Sequence, residues 1–522
     1  MKLLSRHLLG FLLVSVLFYS CQQEEDISSP LPPPQAEQST IIPQSEIDQL
    51  ILKSLNETGD FIWMDQSDEL IWSALVQSDS ILTIGYQPAT SDNINSRIGT
   101  EALDSQPWTD AASKVIAQVS ETIQTKGGTQ YRLSNELAEI HPDLPYLEMK
   151  IADLEVLKNL RLMDEVRYFE PLSYEFNLDL LNKVEEARIF SDSGCSNDPN
   201  PNISPNDFSV ITPAAKASWN YDQMGISQAW GASTGAGVTV GVIDTGVSPN
   251  QPMLGSGFSS GASINTRQIT RFGTYKTGFW WWKRYDGPND QCGHGTAMAG
   301  VIASPRNTVG NAVGVAYDAN LVSVRGTSDV IVNSGNEKDG VSEALVLLGN
   351  RSDVKIISMS IGDVFSNSKV ADAVRYAYNR GKLIFAAAGT STFFTNWVGV
   401  IFPANMSETV AVTGVKEGNG YQRCDTCHSG GQVEFTVVME RAGTETKPLT
   451  TALSSDTPST VGGSSVATAT ASGIAALIWS ANPSWDRNQV LQRMRETSDL
   501  FPNKNSQYGY GNLNAAAALG VF

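Results

Sequence analysis

Three short segments of this chain carry residue types that would do acyl-transfer chemistry if they were brought together. Asp244 follows the apolar pair Val242-Ile243 and precedes Thr245-Gly246. His294 stands between Gly293 and Gly295, ahead of a small-residue stretch at 297–302. Ser465 lies in Gly462-Gly463-Ser464-Ser465, at the head of an apolar helical pattern running through Ile474, Leu477 and Ile478. A serine hydroxyl is a weak nucleophile until an imidazole takes its proton, and the imidazole needs a carboxylate to set its tautomer and stabilise its charge. A serine at a helix N-terminus also sits among backbone N–H groups that favour a developing oxyanion. Each segment alone says little. Asp-Thr-Gly after a strand is commonly a turn, Gly-Ser-Ser commonly a loop, and a histidine between glycines commonly structural. Histidine is scarce, however: the other three are His7, His141 and His428.

The elements around these residues fit the task of positioning them. After residue 210, apolar runs at 238–243, 321–324, 355–359, 383–387 and 410–415 alternate with helical segments at 341–348 and 370–379. Nearly continuous apolar strands separated by helices predict a parallel sheet covered on both faces, an α/β fold. Asp244 then falls at the carboxyl end of a strand, where open α/β sheets bind ligands. Upstream, residues 80–86, 146–151 and 166–170 read as strands, with helical spacing at 108–124 and 154–163. This predicts a small α+β module of two helices on an antiparallel sheet. A Ser/Asp/Asn/Pro-rich stretch at 191–205 separates the two parts.

At 522 residues the chain is long enough for two domains or three, and its net charge of −19 argues against nucleic acid as a partner. Lys2 and Arg6 precede an apolar run at 8–18, of signal-peptide rather than membrane-spanning length. The run ends in Phe18-Tyr19-Ser20-Cys21, which resembles the lipobox of bacterial lipoproteins; that resemblance implies acylation of Cys21 and a membrane anchor. Plain secretion is the alternative. The organisation expected is a leader at 1–21, a flexible Pro/Ser/Gln/Glu tether at 22–44, the α+β module at 45–190, a linker at 191–209 and the main domain at 210–522. Four further cysteines, Cys195, Cys292, Cys424 and Cys427, allow disulfides in an exported chain, with connectivity left open.

The order Asp, His, Ser, each in its own context, resembles the motifs of the subtilisin-like serine proteases, or subtilases. The resemblance runs from about Trp219 to the C-terminus and takes in Val313-Gly314-Val315-Ala316 and Gly509-Tyr510-Gly511-Asn512-Leu513-Asn514. It implies that Ser465 is the nucleophile, His294 the general base and acid, and Asp244 the orienting carboxylate. It implies that Ser358, Ser360, Ile361 and Gly362 belong to a strand that pairs with an extended peptide. Ala387, Ala388 and Gly389 would wall the main specificity pocket. The chain departs from the pattern at Thr390, where the family usually has an oxyanion-binding asparagine, and at Ala469, where it usually has proline. The N-terminal module is similar to the family's propeptide, which assists folding and then inhibits. The expectation is an exported serine endopeptidase acting through an acyl-enzyme on protein or peptide substrates, made as a precursor inhibited by its own propeptide. The alternative is a weak or inactive surface lipoprotein of the same fold that binds peptides, which the loss of asparagine at Thr390 would favour. No cofactor is required; calcium often stabilises the family, but no ligand set stands out.

Other signals weigh less. Asp244-Thr245-Gly246 with Asp192-Ser193-Gly194 would suit an aspartic protease, but Asp192 follows no apolar strand and His294 and Ser465 are left idle. Cys424-Asp425-Thr426-Cys427-His428 matches a haem-attachment pattern, yet a disulfide is the simpler state, and zinc lacks two further ligands. The aromatic run 279–282 lies between the Asp and His segments and suits either the cleft, a membrane contact or packing.

Overall fold

The structure is a computed structural model, and it describes residues 41–90, 93–127, 138–178, 180, 195–278, 282–390, 399–418 and 420–521. Cys21, Asp192-Ser193-Gly194, residues 279–281 and the leader therefore lie outside the described residues.

The N-terminal module builds a four-stranded antiparallel sheet. Its strands are β1 (Ile81–Tyr86), β2 (Ala138–Ile140), β3 (Tyr146–Lys150) and β4 (Val166–Pro171), in the order β2-β3-β1-β4. The helices α1 (Gln44–Thr58), α2 (Asp68–Val76), α3 (Gln106–Gly127) and α4 (Glu155–Arg161) accompany it. The expected three strands and two helices are present. Helices α1 and α2 and strand β2 are additions. In α2 the run Leu70 to Leu75 is buried all round, which erases the amphipathic period that reveals a helix.

The main domain is a seven-stranded parallel sheet. Its strands are β5 (Thr239–Asp244), β6 (Ile269–Gly273), β7 (Asn320–Arg325), β8 (Val354–Met359), β9 (Leu383–Ala387), β10 (Val410–Lys416) and β11 (Val433–Glu440). The order is β11-β10-β9-β8-β5-β7-β6, every neighbouring pair parallel. Strand β5 has neighbours on both sides and helices over the sheet, so its run Val240 to Ile243 is wholly buried, and the chain delivers Asp244 at its carboxyl end. Helices α5 (His294–Ala303), α6 (Gly335–Asn350), α7 (Ser368–Asn379) and α8 (Gly463–Ala481) cover the sheet. Helix α8 is long and apolar enough to cross a membrane, yet it is the buried core helix of this domain, its residues from Gly463 to Trp479 all interior. Its small residues let neighbours approach: a Cβ on Gly473 would meet Val315 at 2.6 Å.

The module sits on α6 and α7 through buried charge. Arg167 makes a two-pronged contact with Asp372 at 2.7 and 2.8 Å, and the Tyr168 hydroxyl donates to the same carboxylate. Glu170 accepts from Asn367 and from the backbone N–H groups of Ser368 and Lys369, satisfying orphan donors at the start of α7. Lys369, itself from α7, donates to Glu148 of the module at 2.7 Å and to Asp339 of α6. Burial pushes the carboxyls of Glu148 and Glu170 up. Burial also opposes ionisation of Asp339, but Lys369 and Lys283 outweigh it and bring that group down to about 2.

Candidate active site

Asp244 and His294 meet at the carboxyl end of β5. The His294 Nδ1 atom lies 2.8 Å from Asp244 Oδ1, with both side chains buried. The same Oδ1 accepts from Thr245 N at 2.8 Å, while among the described residues Oδ2 is buried without a hydrogen-bond partner. Burial disfavours the imidazolium, but the Asp244 carboxylate, with Asp290 and Asp329 beyond it, outweighs burial and holds the His294 pKa above the ordinary 6.5.

Helix α5 must approach β5 closely for this pair to form. A Cβ at Gly295 would lie 2.3 Å from the Gly246 carbonyl oxygen, so only glycine fits. Asp290, not singled out from the sequence, holds the approach. Its Oδ1 accepts from Thr245 Oγ1, Cys292 N and Gly293 N, and its Oδ2 from Thr296 N and Thr296 Oγ1, all within 2.6–2.9 Å. A carboxylate four residues ahead of the His, at the start of a helix, was the signal that could have revealed it.

Ser465 lies in the first turn of α8, after Gly463 at φ 83°, and shares one cleft of about 550 Å³ with His294. Its backbone N–H belongs to the first turn of the helix, whose N–H groups have no intrahelical partner. Its hydroxyl donates to Ser360 O at 3.4 Å, and the Ser360 hydroxyl donates back to Ser465 O at 2.9 Å. Among the described residues Ser465 and His294 share the cleft without a hydrogen bond between them.

The expected peptide-pairing strand is only partly available. Ser358 is inside β8, paired with Val242 on one side and Phe385 on the other, and its side chain is fully buried. It therefore cannot meet a substrate, which corrects the expectation. Gly362 is already paired within the chain: its N–H donates to Val330 O at 3.1 Å and its carbonyl accepts from Val332 N at 2.9 Å, in parallel register. Two backbone edges with no strand between them satisfy each other. Ser360 and Ile361 remain at the edge of the site, and both are buried. Ala387 ends β9, Ala388 pairs with Val412 and Ile401, and Gly389 has φ 124° with His428 packed against it, so a Cβ there would meet Nδ1 at 2.4 Å. Burial pushes His428 down to about 4, so it is a neutral packing residue, donating from Nδ1 to Gly399 O at 2.7 Å.

Thr390 lines the cleft. Its hydroxyl accepts from Ser464 N at 3.2 Å and lies 2.9 Å from Ser464 Oγ, which in turn accepts from Gly389 N at 3.2 Å. The cysteines form two disulfides, Cys195–Cys292 and Cys424–Cys427, so the Cys-x-x-Cys-His segment holds its sulfurs in a local bridge. Among the described residues no group of three or more His, Cys, Asp or Glu side chains could hold a metal ion.

The family model of the subtilases matches residues 235–511, more than half of the chain, and the chain belongs to that family of serine peptidases. It is 29% identical over 314 residues to the minor extracellular protease Epr of Bacillus subtilis (strain 168), a match over 58% of this chain and 43% of that protein. It is 27% identical over 353 residues to the M-protease of Shouchella clausii (strain KSM-K16), covering 66% of this chain and 82% of that one. In fold it is similar to fervidolysin from Fervidobacterium pennivorans, with a TM-score of 0.54 and 16% identity over 84% of this chain and 61% of that chain. The subtilisin-like sheet expected from the sequence is thus present.

Proposed function

We propose that this chain is an exported serine endopeptidase that cleaves peptide bonds through Ser465, His294 and Asp244 and is made as a precursor held inactive by its N-terminal module. The observation that carries the reading is the buried His294–Asp244 contact at 2.8 Å in the cleft that Ser465 shares. In this reading His294 Nε2 takes the Ser465 proton as the hydroxyl attacks the scissile carbonyl. Asp244 holds the proton on Nδ1 and stabilises the imidazolium, which then protonates the leaving amine. Water reverses the sequence and frees the acyl group. The Ser465 N–H receives the oxyanion. Thr390 supplies a second donor. Its hydroxyl lines the cleft and in this reading turns its hydrogen to the oxyanion, the Ser464 hydroxyl then donating across the 2.9 Å between them.

The precursor reading is supported by the path of the chain. Phe176 exchanges two hydrogen bonds with the Asn333 side chain, and Asn333 follows the strap 330–332 that occupies Gly362. Cys195 is tied to Cys292, two residues before His294. Phe176 is thus held next to the strap and Cys195 beside the helix of His294. Export is supported by the apolar leader and by the secreted kind of protein that Epr is named as, and the anchor by Cys21 in its lipobox-like context.

The test is to express residues 22–522 beside a Ser465→Ala version and to follow chain length and casein digestion. Maturation to a fragment that starts between 178 and 195 and keeps Cys195, with casein digestion, in the parent alone supports the reading. A parent that stays whole and inert even after trypsin removes the module would leave the peptide-binding alternative.

A further inference from the structure

Residues 195–202 are held against the catalytic domain from two independent directions. The Cys195–Cys292 disulfide fixes one end beside the helix that carries His294, with Cα atoms 4.5 Å apart, and Ser196 N donates to Cys292 O at 2.7 Å. Asn197 is buried over Gly293, where a Cβ would come within 3.1 Å of it. Its side chain donates to Thr451 O at 2.9 Å, and its carbonyl accepts from Leu453 N at 2.7 Å. Asn200 N donates to Pro458 O at 2.9 Å, so the segment lies along the hairpin Leu449–Thr451 and Pro458–Thr460. The same residues line the cleft of His294 and Ser465, together with Lys447 and Val461.

We infer that this pinned segment is the wall that receives the departing half of the substrate, and that it restricts how much chain can follow the scissile bond. This rests on the serine-protease reading above. The acyl half belongs against Ser360 and the turn Ala387 to Gly389, so the departing half must leave along the rest of the cleft, which 195–202 borders. In the precursor reading the cut falls before Cys195, which is fixed beside the helix that carries His294. After the cut, the departing half of the first cleavage stays pinned by the disulfide and by Asn197. A later substrate must share that side of the cleft with it, and Asp198 and Lys447, both at the cleft, set a mixed charge there.

The experiment compares the matured parent with a Cys195→Ser/Cys292→Ser version on three substrates with the same acyl half. One is a peptide anilide with no residue after the scissile bond, one a quenched peptide with one residue there, and one a quenched peptide with five. The parent is expected to favour the short peptide over the long one on the order of tenfold. In the disulfide-free version the ratio of long peptide to anilide should rise by a similar factor. Mild reduction of a Cys424→Ser/Cys427→Ser version gives the same comparison without refolding a chain that lacks the tether. A parent indifferent to length, or removal of the tether changing anilide and long peptide by one common factor, overturns the inference. Failure of every form on the anilide overturns the protease reading itself, and this inference with it.

Discussion

Asp244 holds the His294 pKa above its ordinary value, and that sets the first prediction. In the proposed mechanism His294 is the general base and must be neutral, so activity is present above its pKa and lost as pH falls through it. With the pKa raised above 6.5 by Asp244, the acid limb of kcat/KM is expected above that value. Asp244→Asn removes the charge that offsets burial. The limb should then move to lower pH while the rate falls by about 10⁴, the size of that loss in a Ser-His-Asp site. An anilide pH profile of both enzymes reads this, and an unmoved limb would assign the titration elsewhere. At Thr390 the expected outcomes are opposite for two substitutions. Thr390→Val keeps shape but removes the donor, and should lower kcat by roughly tenfold to a hundredfold with little change in KM. Thr390→Asn, with a longer amide donor, should hold or raise kcat. Equal kcat in all three would mean that the Ser465 N–H supports the oxyanion without help from this position.

At the scale of elements, the site depends on how closely α5 meets the end of β5 and on what the strap 330–332 does. Gly295→Ala places a methyl group 2.3 Å from Gly246 O, and neither strand end nor helix can move without losing Asp290's contacts. The expected result is a lower Tm and loss of activity together, read by thermal unfolding and casein assay. Most of the elements themselves were legible. Asp244, His294 and Ser465 stand where apolar runs end or helices begin, and those boundaries follow from residue type. The strands Ile269–Gly273 and Val433–Glu440 were not legible: the first lies at the sheet edge and is half-buried, and the second is buried throughout despite its two glutamates. Nor was the pairing of Gly362 with Val330 and Val332, since no local pattern announces which backbone edge will meet another. That contact yields its own prediction. Asn333→Ala frees the strap from Phe176, and opening the slot at Gly362 should speed conversion of the precursor on a gel; slower conversion would make the contact a folding support instead.

Across the whole molecule, the module is held by ion pairs that only docking buries. Removing one partner of a buried pair leaves the other without compensation, at a cost of about 3–5 kcal/mol. Arg167→Ala leaves Asp372 with Arg375 at 3.3 Å and the Tyr168 hydroxyl, which offset part of that cost, so the separately added module should inhibit the mature enzyme at least roughly tenfold more weakly than the parent module does. An unchanged inhibition constant would place the binding energy in the apolar contacts around Phe61, Phe176 and Phe365.

The order of three chemically suited residues and the alternation of apolar strands and helices are properties of the linear chain, so the family and the fold class could be read from it, and the residues of the proposed site named from it. What only the tertiary structure decided is relational. Asp290 became a support because the fold turns five donors toward it, and Ser358 was withdrawn because a strand paired on both sides leaves nothing for a substrate. The cysteines took one local and one long-range partner because a separation of 97 residues in sequence became 4.5 Å in space. Distances between remote segments depend on how the whole core packs, and no local spacing encodes them.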